Sequence, residues 1–265
     1  MTPAQRTPPP EAEAARAIGM VAEMLASEPV AAGRSERIAH QLERAISVGV
    51  LDVGVRLPNE TELSEQLGVS SITLRQALAQ LRTKRLIETR RGRSGGSFVS
   101  GHRPSQHELR AQLHEWDPAR LRELTDLVGI AADGVARLAA RRSDDDDLDR
   151  VRMFAADVRT SGDPAAARRS DARFHIALGV ASHSGRLANL VLRLQSELNG
   201  LSWLGPWSLR ELEQHADEHD AIIEAVARRD ADEAARLARE HHEEQCRGIL
   251  DELLRAQHDA EGDPP

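Results

Sequence analysis

The chain has 265 residues, 43 acidic against 35 basic side chains for a net charge of −8, and a single cysteine. That length predicts two domains with separate cores, and one thiol excludes both an intramolecular disulfide framework and a cysteine-rich zinc site. No apolar run approaches the roughly 20 residues that cross a bilayer, and the N-terminus lacks the basic-then-apolar order of a secretory signal, so the chain reads as soluble and cytoplasmic with no membrane partner.

The charge is unevenly spread. Residues 34–103 carry 12 Arg/Lys against 7 Asp/Glu, a local +5, and the remainder carries 23 against 36, or −13. The first module suits phosphate and the second repels it, as in a DNA-reading part joined to a part with another task.

In chain order, residues 1–33 are expected to hold a disordered tail rich in Pro, Thr and Gln, then a short helix on which Ile18, Val21, Met24 and Leu25 recur at helical spacing. No partner for that helix is evident. Ser35 to Val48 places Ile38, Leu42, Ala45 and Ile46 on one face of a second helix. Asn59, with Glu62 three residues on, forms a capping-box signal for a helix to about Leu67. Gly68 allows a sharp exit and Ser70 is placed to cap a helix from Ser71 to about Lys84. Leu86 to Arg90 and Ser97 to Val99 alternate as strands around a basic glycine-rich loop. Helix, helix, turn, helix and hairpin make a winged helix-turn-helix over residues 34–100, with 101–106 as a linker.

A helix-turn-helix presents the N-terminal end of its last helix to base edges in the major groove. Here that end offers Ser70, Ser71, Thr73 and Arg75, short hydroxyls and one guanidinium, while Arg90, Arg91, Gly92 and Arg93 form a wing placed for phosphate or a minor groove. The expected partner is an operator in double-stranded DNA.

The run from Leu57 to Val99, LPNETELSEQLGVSSITLRQALAQLRTKRLIETRRGRSGGSFV, resembles the winged helix-turn-helix of the GntR family of bacterial regulators. Capping, turn, helix and wing glycine fall in order, and Thr73, Arg75 and Gly92 match. Thr61 and Ser71 stand where the family usually has arginines, used for operator recognition in its fatty-acid-regulator branch, so the resemblance implies DNA binding at a different operator.

Beyond residue 106 every segment patterns as helix. Asp117-Pro118, Ser143 and Asp163-Pro164 read as helix starts, and helices are expected near 107–116, 117–141, 143–160, 164–181, 185–201, 208–228 and 231–257. The fold class is therefore mainly α: the winged helix-turn-helix, then an all-α antiparallel bundle of six or seven helices over 107–258, with 259–265 as a disordered tail. Asp144 to Asp147 lack the alternation and glycine of a calcium loop and read as acids favouring a helix N-terminus.

The chain's 11 histidines are not spread evenly, and four positions in this domain stand out by spacing: Asp171 and His175 at i,i+4, then His219 and His241 on two later helices. Three imidazoles and a carboxylate would suit Zn, Ni, Mn or Fe, although solvated surface histidines would give the same spacing. His242 lies about 100° around the helix from His241, so only one of the two is expected to face inward.

Asp171-Ala172-Arg173-Phe174-His175 is similar to the D-x-x-F-H run of the FadR-type, or FCD, ligand-binding domain, and Glu218-His219 with His241 resembles its remaining ligand helices. The resemblance implies a divalent metal, zinc first, on Asp171, His175, His219 and His241 at the floor of an effector cavity. Many members have Arg-Arg and a Glu in an early helix where this chain reads Val128-Gly129 and Ala132. A small carboxylate effector would then lean on the metal or on Arg173, Arg193 or Asn199.

A competing pattern is His215-Ala216-Asp217-Glu218-His219, which matches the H-x-x-E-H signature of zinc peptidases, with two histidines on zinc and a glutamate activating water. The DNA module is hard to explain in such an enzyme, and the zinc-dependent hydrolase stands as the alternative reading. The favoured reading is a non-enzymatic, ligand-responsive repressor that acts as a homodimer, because one recognition helix reads only a few base pairs.

Overall fold

The computed structural model describes residues 17–24, 33–92, 95–100, 116–161, 163–199, 201 and 209–262. The chain divides into two compact units, Met1–His102 and Arg103–Pro265.

The first unit holds a helical segment at 17–24 (α1), then α2 (Arg34–Ser47), α3 (Glu60–Gln66), α4 (Ser71–Thr83), β1 (Ile87–Arg90) and β2 (Gly96–Val99). Its core is built by one face of each helix: Ile38, Leu42 and Ala45 from α2, Leu63 from α3, and Leu74, Ala77, Leu78 and Leu81 from α4. The capping box forms as expected. Asn59 Oδ1 accepts from the backbone N–H groups of Thr61 and Glu62, each at 3.0 Å, and Glu62 Oε2 accepts from Asn59 N–H at 3.1 Å. Gly68 turns the chain with φ +60°, a conformation that costs other residues steric strain, and Ser70 Oγ caps α4 by accepting from Thr73 N–H at 3.2 Å.

Two features of this unit were not legible. In α1, Ile18, Val21 and Met24 are buried, and Gln41 on α2 donates to Met24 Sδ at 3.5 Å, which supplies the missing partner. The segment before Pro58 also joins the wing. Val99 N–H donates to the Val55 carbonyl and Leu57 N–H to the Ser97 carbonyl, both at 2.9 Å, with Arg56 bridging Phe98. β1 and β2 pair antiparallel in the register Ile87↔Val99 through Arg90↔Gly96. At the loop, a side chain on Gly95 would stand 2.6 Å from the Arg90 carbonyl, so only glycine fits there. Arg93 and Ser94 lie outside the described residues.

The second unit contains α5 (Pro118–Arg142), α6 (Asp145–Thr160), α7 (Pro164–Ala181), α8 (Gly185–Asn199), α9 (Leu209–Ala227) and α10 (Ala231–Gly262). Asp117 caps α5, accepting from Arg120 N–H at 2.8 Å, and Asp163 caps α7 through Ala166 N–H at 3.1 Å. One expected start moves by a residue: Ser143 closes α5, and Asp144 caps α6 in a box with Asp147. The last helix runs to Gly262 rather than to about 257. The expected helix over 107–116 falls on residues outside the description apart from Trp116, which is not helical.

Helix α5 packs against α7, α8, α9 and α10. Its small residues Ala131, Ala132, Ala136, Ala139 and Ala140 are buried, which lets neighbouring backbones approach closely. Between α7 and α8 a Cβ on Gly179 would stand 3.3 Å from Ala188 Cα. Leu124, Val128, Leu194 and Leu198 surround the buried Cys246, whose thiol burial pushes up to about 12, which favours the protonated form. Among the described residues no helix is long and apolar enough to cross a membrane.

Candidate metal centre and nucleic-acid interface

On α4 the residues are sorted by face. Ser71, Ile72, Arg75 and Gln76 are exposed opposite the buried Leu74, Ala77, Leu78 and Leu81. The Arg75 guanidinium is anchored: its Nε donates to Glu60 Oε2, on the first residue of α3, at 2.7 Å. One edge of the fork is thereby committed, and its other donors stay available for a base or phosphate. Ser70 and Thr73 are partly engaged with each other, Oγ to Oγ1 at 2.8 Å, so Ser70 acts first as a cap. On the wing, Arg90 lies over the Phe98 ring at 4.4 Å and pairs with Glu88 at 2.6 Å, while Arg91 and Gly92 are exposed.

In the second unit, α7, α9 and α10 bring Asp171, His175, His219 and His241 into one buried group. His241 Nε2 lies 3.2 Å from both His219 Nε2 and His175 Nε2. Asp171 Oδ1 lies 3.3 Å from His219 Nε2, 3.5 Å from His175 Nε2 and 4.0 Å from His241 Nε2. Four ligands each about 2.0–2.2 Å from a tetrahedral ion stand roughly 3.3–3.6 Å apart, so the group fits a divalent cation. Asp171 Oδ1 is buried without a hydrogen-bond partner, while Oδ2 accepts from Gln245 Nε2 at 3.0 Å. An oxygen left over in this way is what a cation would satisfy.

The electrostatics favour the ligating protonation states. Burial pushes the His219 imidazole down to about 4 and lowers His175 and His241, against the pull of Asp171 and, at His241, Glu218. Burial alone would raise the Asp171 carboxyl, but His175 and His219 beside it hold it well below the usual carboxylate range. Neutral imidazoles with a carboxylate are the forms that bind metal. Phe174, fully buried, stacks on the His219 ring at 3.7 Å and 18° and fixes its orientation. Glu218 Oε2 sits 2.6 Å from His241 Nδ1, so the ring donates there and keeps its Nε2 lone pair for the site.

Residues 34–99 match the gntR family of bacterial regulatory proteins, and residues 132–244 match the FCD domain. RmpR of Mycobacterium gastri, named as an HTH-type transcriptional regulator, is 35% identical over 228 residues, covering 83% of this chain and 82% of its own. The chain belongs to the GntR family. The galactonate operon transcriptional repressor of Escherichia coli is 27% identical over 215 residues, 77% of this chain and 92% of that protein. A GntR-family regulator from Pseudomonas syringae pv. tomato is 21% identical with a TM-score of 0.46, covering 94% of this chain and 98% of that one. The GntR protein described here is accordingly a transcriptional regulator and not an enzyme.

The H-x-x-E-H pattern does not assemble as a peptidase site. His219 joins Asp171, His175 and His241, whereas His215 groups with Glu218 and His241, its Nδ1 3.7 Å from the carboxylate, and no candidate group among the described residues joins His215 to His219. The carboxylate that would have activated water instead holds His241.

A cavity of about 20 Å³, room for roughly one water, lies beside His175 between Val128, Ala132 and Val135 of α5 and Leu178, Val191 and Leu194 of α7 and α8. Its polar lining is His175, His242 and Gln195. The three residues considered for effector binding are not brought to it. Arg173 is buried facing Phe154 on α6, Arg193 is about half exposed near Glu197, and Asn199 ends α8. His242 corrects the expectation that one neighbour turns outward: it is buried, its ring 4.2 Å from that of His175, because α10 is covered by α5 on one side and α9 on another. Gln245, Phe174, Glu218 and His242 also belong to the site. Phe174 and Glu218 carried a signal, in the D-x-x-F-H run and beside His219, but with other roles or none attached, and Gln245 carried none.

Proposed function

We propose that this GntR-family regulator is a ligand-responsive repressor whose helical domain holds a divalent metal on Asp171, His175, His219 and His241, zinc first among Zn, Ni, Mn and Fe. The convergence of three imidazole Nε2 atoms and one unpartnered buried carboxylate oxygen carries this reading. A bound cation would supply a Lewis-acid anchor for an acidic or carbonyl oxygen of an effector. The chain's own part is to keep the imidazoles neutral, hold His241 through Glu218 and exclude bulk water with the apolar walls around His175.

Operator contact is assigned to Ser70, Ser71, Thr73 and Arg75 of α4 and to Arg90, Arg91, Gly92 and Arg93 of the wing, in a homodimer that spans two half-sites. A small organic acid is the expected effector, and one relative is named as the repressor of an operon that bears the name of such an acid, galactonate. Binding that acid must favour one arrangement of the dimer over another in order to release DNA. Metal analysis of the purified protein, beside His219→Ala and Asp171→Asn, tests the core of the proposal. About one equivalent in the parent and little in both variants is expected; equal content in all three would refute it.

A further inference from the structure

We propose that Ile72 reads the 5-methyl group of a thymine in each operator half-site, and so fixes base preference at one position. This rests on the assignment of the first turn of α4 to the major groove. Ile72 is the second residue of α4 and is 70% exposed, one of two large apolar side chains so exposed in the described part of the first unit, the other being Val53. The packing of α4 does not use it, since Leu74, Ala77, Leu78 and Leu81 make the buried face. Its position is set by the capped helix start at Ser70, and on the same exposed face Arg75 is held by Glu60. Ser71 beside it is too short to shield it from a groove floor.

An apolar branched side chain there cannot hydrogen-bond a base edge. The one apolar feature the major groove displays is the thymine methyl, which distinguishes A·T from the other pairs without any donor or acceptor. Covering one methyl is worth about a fourfold change in affinity at roughly 0.8 kcal/mol per buried carbon. Ile72 would therefore tune sequence preference and leave the phosphate-driven part of binding alone.

The test uses the full-length protein at fixed salt. Operators are selected from a randomised duplex library with the parent and with Ile72→Ser, and each thymine of the parent's operator is then replaced by deoxyuridine. The parent should lose about fourfold at one position per half-site. Ile72→Ser should show no further loss at that position, and its selected motif should relax only there. Equal deoxyuridine sensitivity in both proteins, or none at any position, would overturn the contact, as would an altered oligomeric mass of Ile72→Ser with its motif intact. Arg75→Ala separates the underlying assignment: if operator binding survives that change untouched, α4 is not the reading element and the methyl contact falls with it.

Discussion

Glu218 Oε2 lies 2.6 Å from Nδ1 of His241, and the pairing leaves the opposite nitrogen of that ring facing His175 and His219. A carboxylate behind a ligand histidine fixes its tautomer and raises its basicity, and losing such a partner typically costs about 10–100-fold in metal affinity. Glu218→Gln keeps the shape and removes the charge. It should bind zinc about 10–100-fold more weakly while retaining the fold, read by competition with a chromogenic chelator. An unchanged affinity would reduce Glu218 to a surface acid.

Acid should destabilise the metal-free protein. His175, His219 and His241 are lowered in the folded state by burial, His219 to about 4, and His242 well below its usual range. The unfolded chain therefore binds protons at these groups from pH about 6.5 downward while the folded chain does not, so stability present above that pH is lost on descending toward 4. His215 works the other way. Glu218, Asp171 and Glu211 outweigh its burial and raise it, so its contribution is full in acid and fades as pH rises through its folded value. Four lowered imidazoles against one raised give a net fall. Thermal melts of chelator-treated protein should drop in Tm between about pH 7 and pH 5, and added zinc should restore more at the higher pH, where protons compete less. A flat apo profile would contradict the buried neutral cluster.

At the other end of the chain, Glu60 holds Arg75 by its Nε at 2.7 Å, across from α3 to α4. Both side chains are exposed, so the pair contributes little to stability and its value lies in aim. Glu60→Gln should lower Tm by no more than a few degrees while lowering the ratio of specific to non-specific DNA affinity roughly threefold, because it loosens Arg75 and also removes a charge that repels phosphate. Arg75→Ala should cost about 1–3 kcal/mol on the operator. If Glu60→Gln lowered Tm sharply and left that ratio intact, the pair would be structural.

What could be read in advance follows the range of the interactions. The Asn59 box, the Gly68 turn and the Ser70 cap depend on residues three or four apart, and each was visible in the sequence. At Ser143 and Asp144 two good caps stand side by side, and only the choice of C-cap for α5 decides between them. The strand-like segment at 54–57 does alternate, with Val55 and Leu57 buried about an exposed Arg56, but it is too short before Pro58 to signal a strand, and its bonds to β2 are made by backbone, which any residue but proline can supply. The i,i+4 pair Asp171 and His175 was legible, but the burial of His242 beside His241 depends on a helix covered on two sides, which no local period reveals. Arg173 illustrates the converse: a charge next to a ligand residue suggested the cavity, and the turn of α7 points it to Phe154 instead.

The proposed dimer has a testable seat on the outer face of α5. Ile130 is 71% exposed and Leu127 38%, beside a groove of about 490 Å³ lined by Leu121, Cys246 and Leu250 between α5 and α10. The groove rim carries both signs, Arg122 and Asp126 from α5 and Arg239, Glu243 and Arg247 from α10. Under a two-fold axis a residue on one copy meets its counterpart's neighbour, so a surface with interspersed charges around an apolar centre can pair with itself. Ile130→Glu places two carboxylates at the centre of such a contact. Light scattering at micromolar concentration should then report the monomer mass, operator affinity should fall steeply because two half-sites are no longer joined, and metal content should stay at the parent's level. Val53→Glu, a comparably exposed change in the first unit, should leave the mass unaltered. A dimeric Ile130→Glu protein would move the interface away from α5.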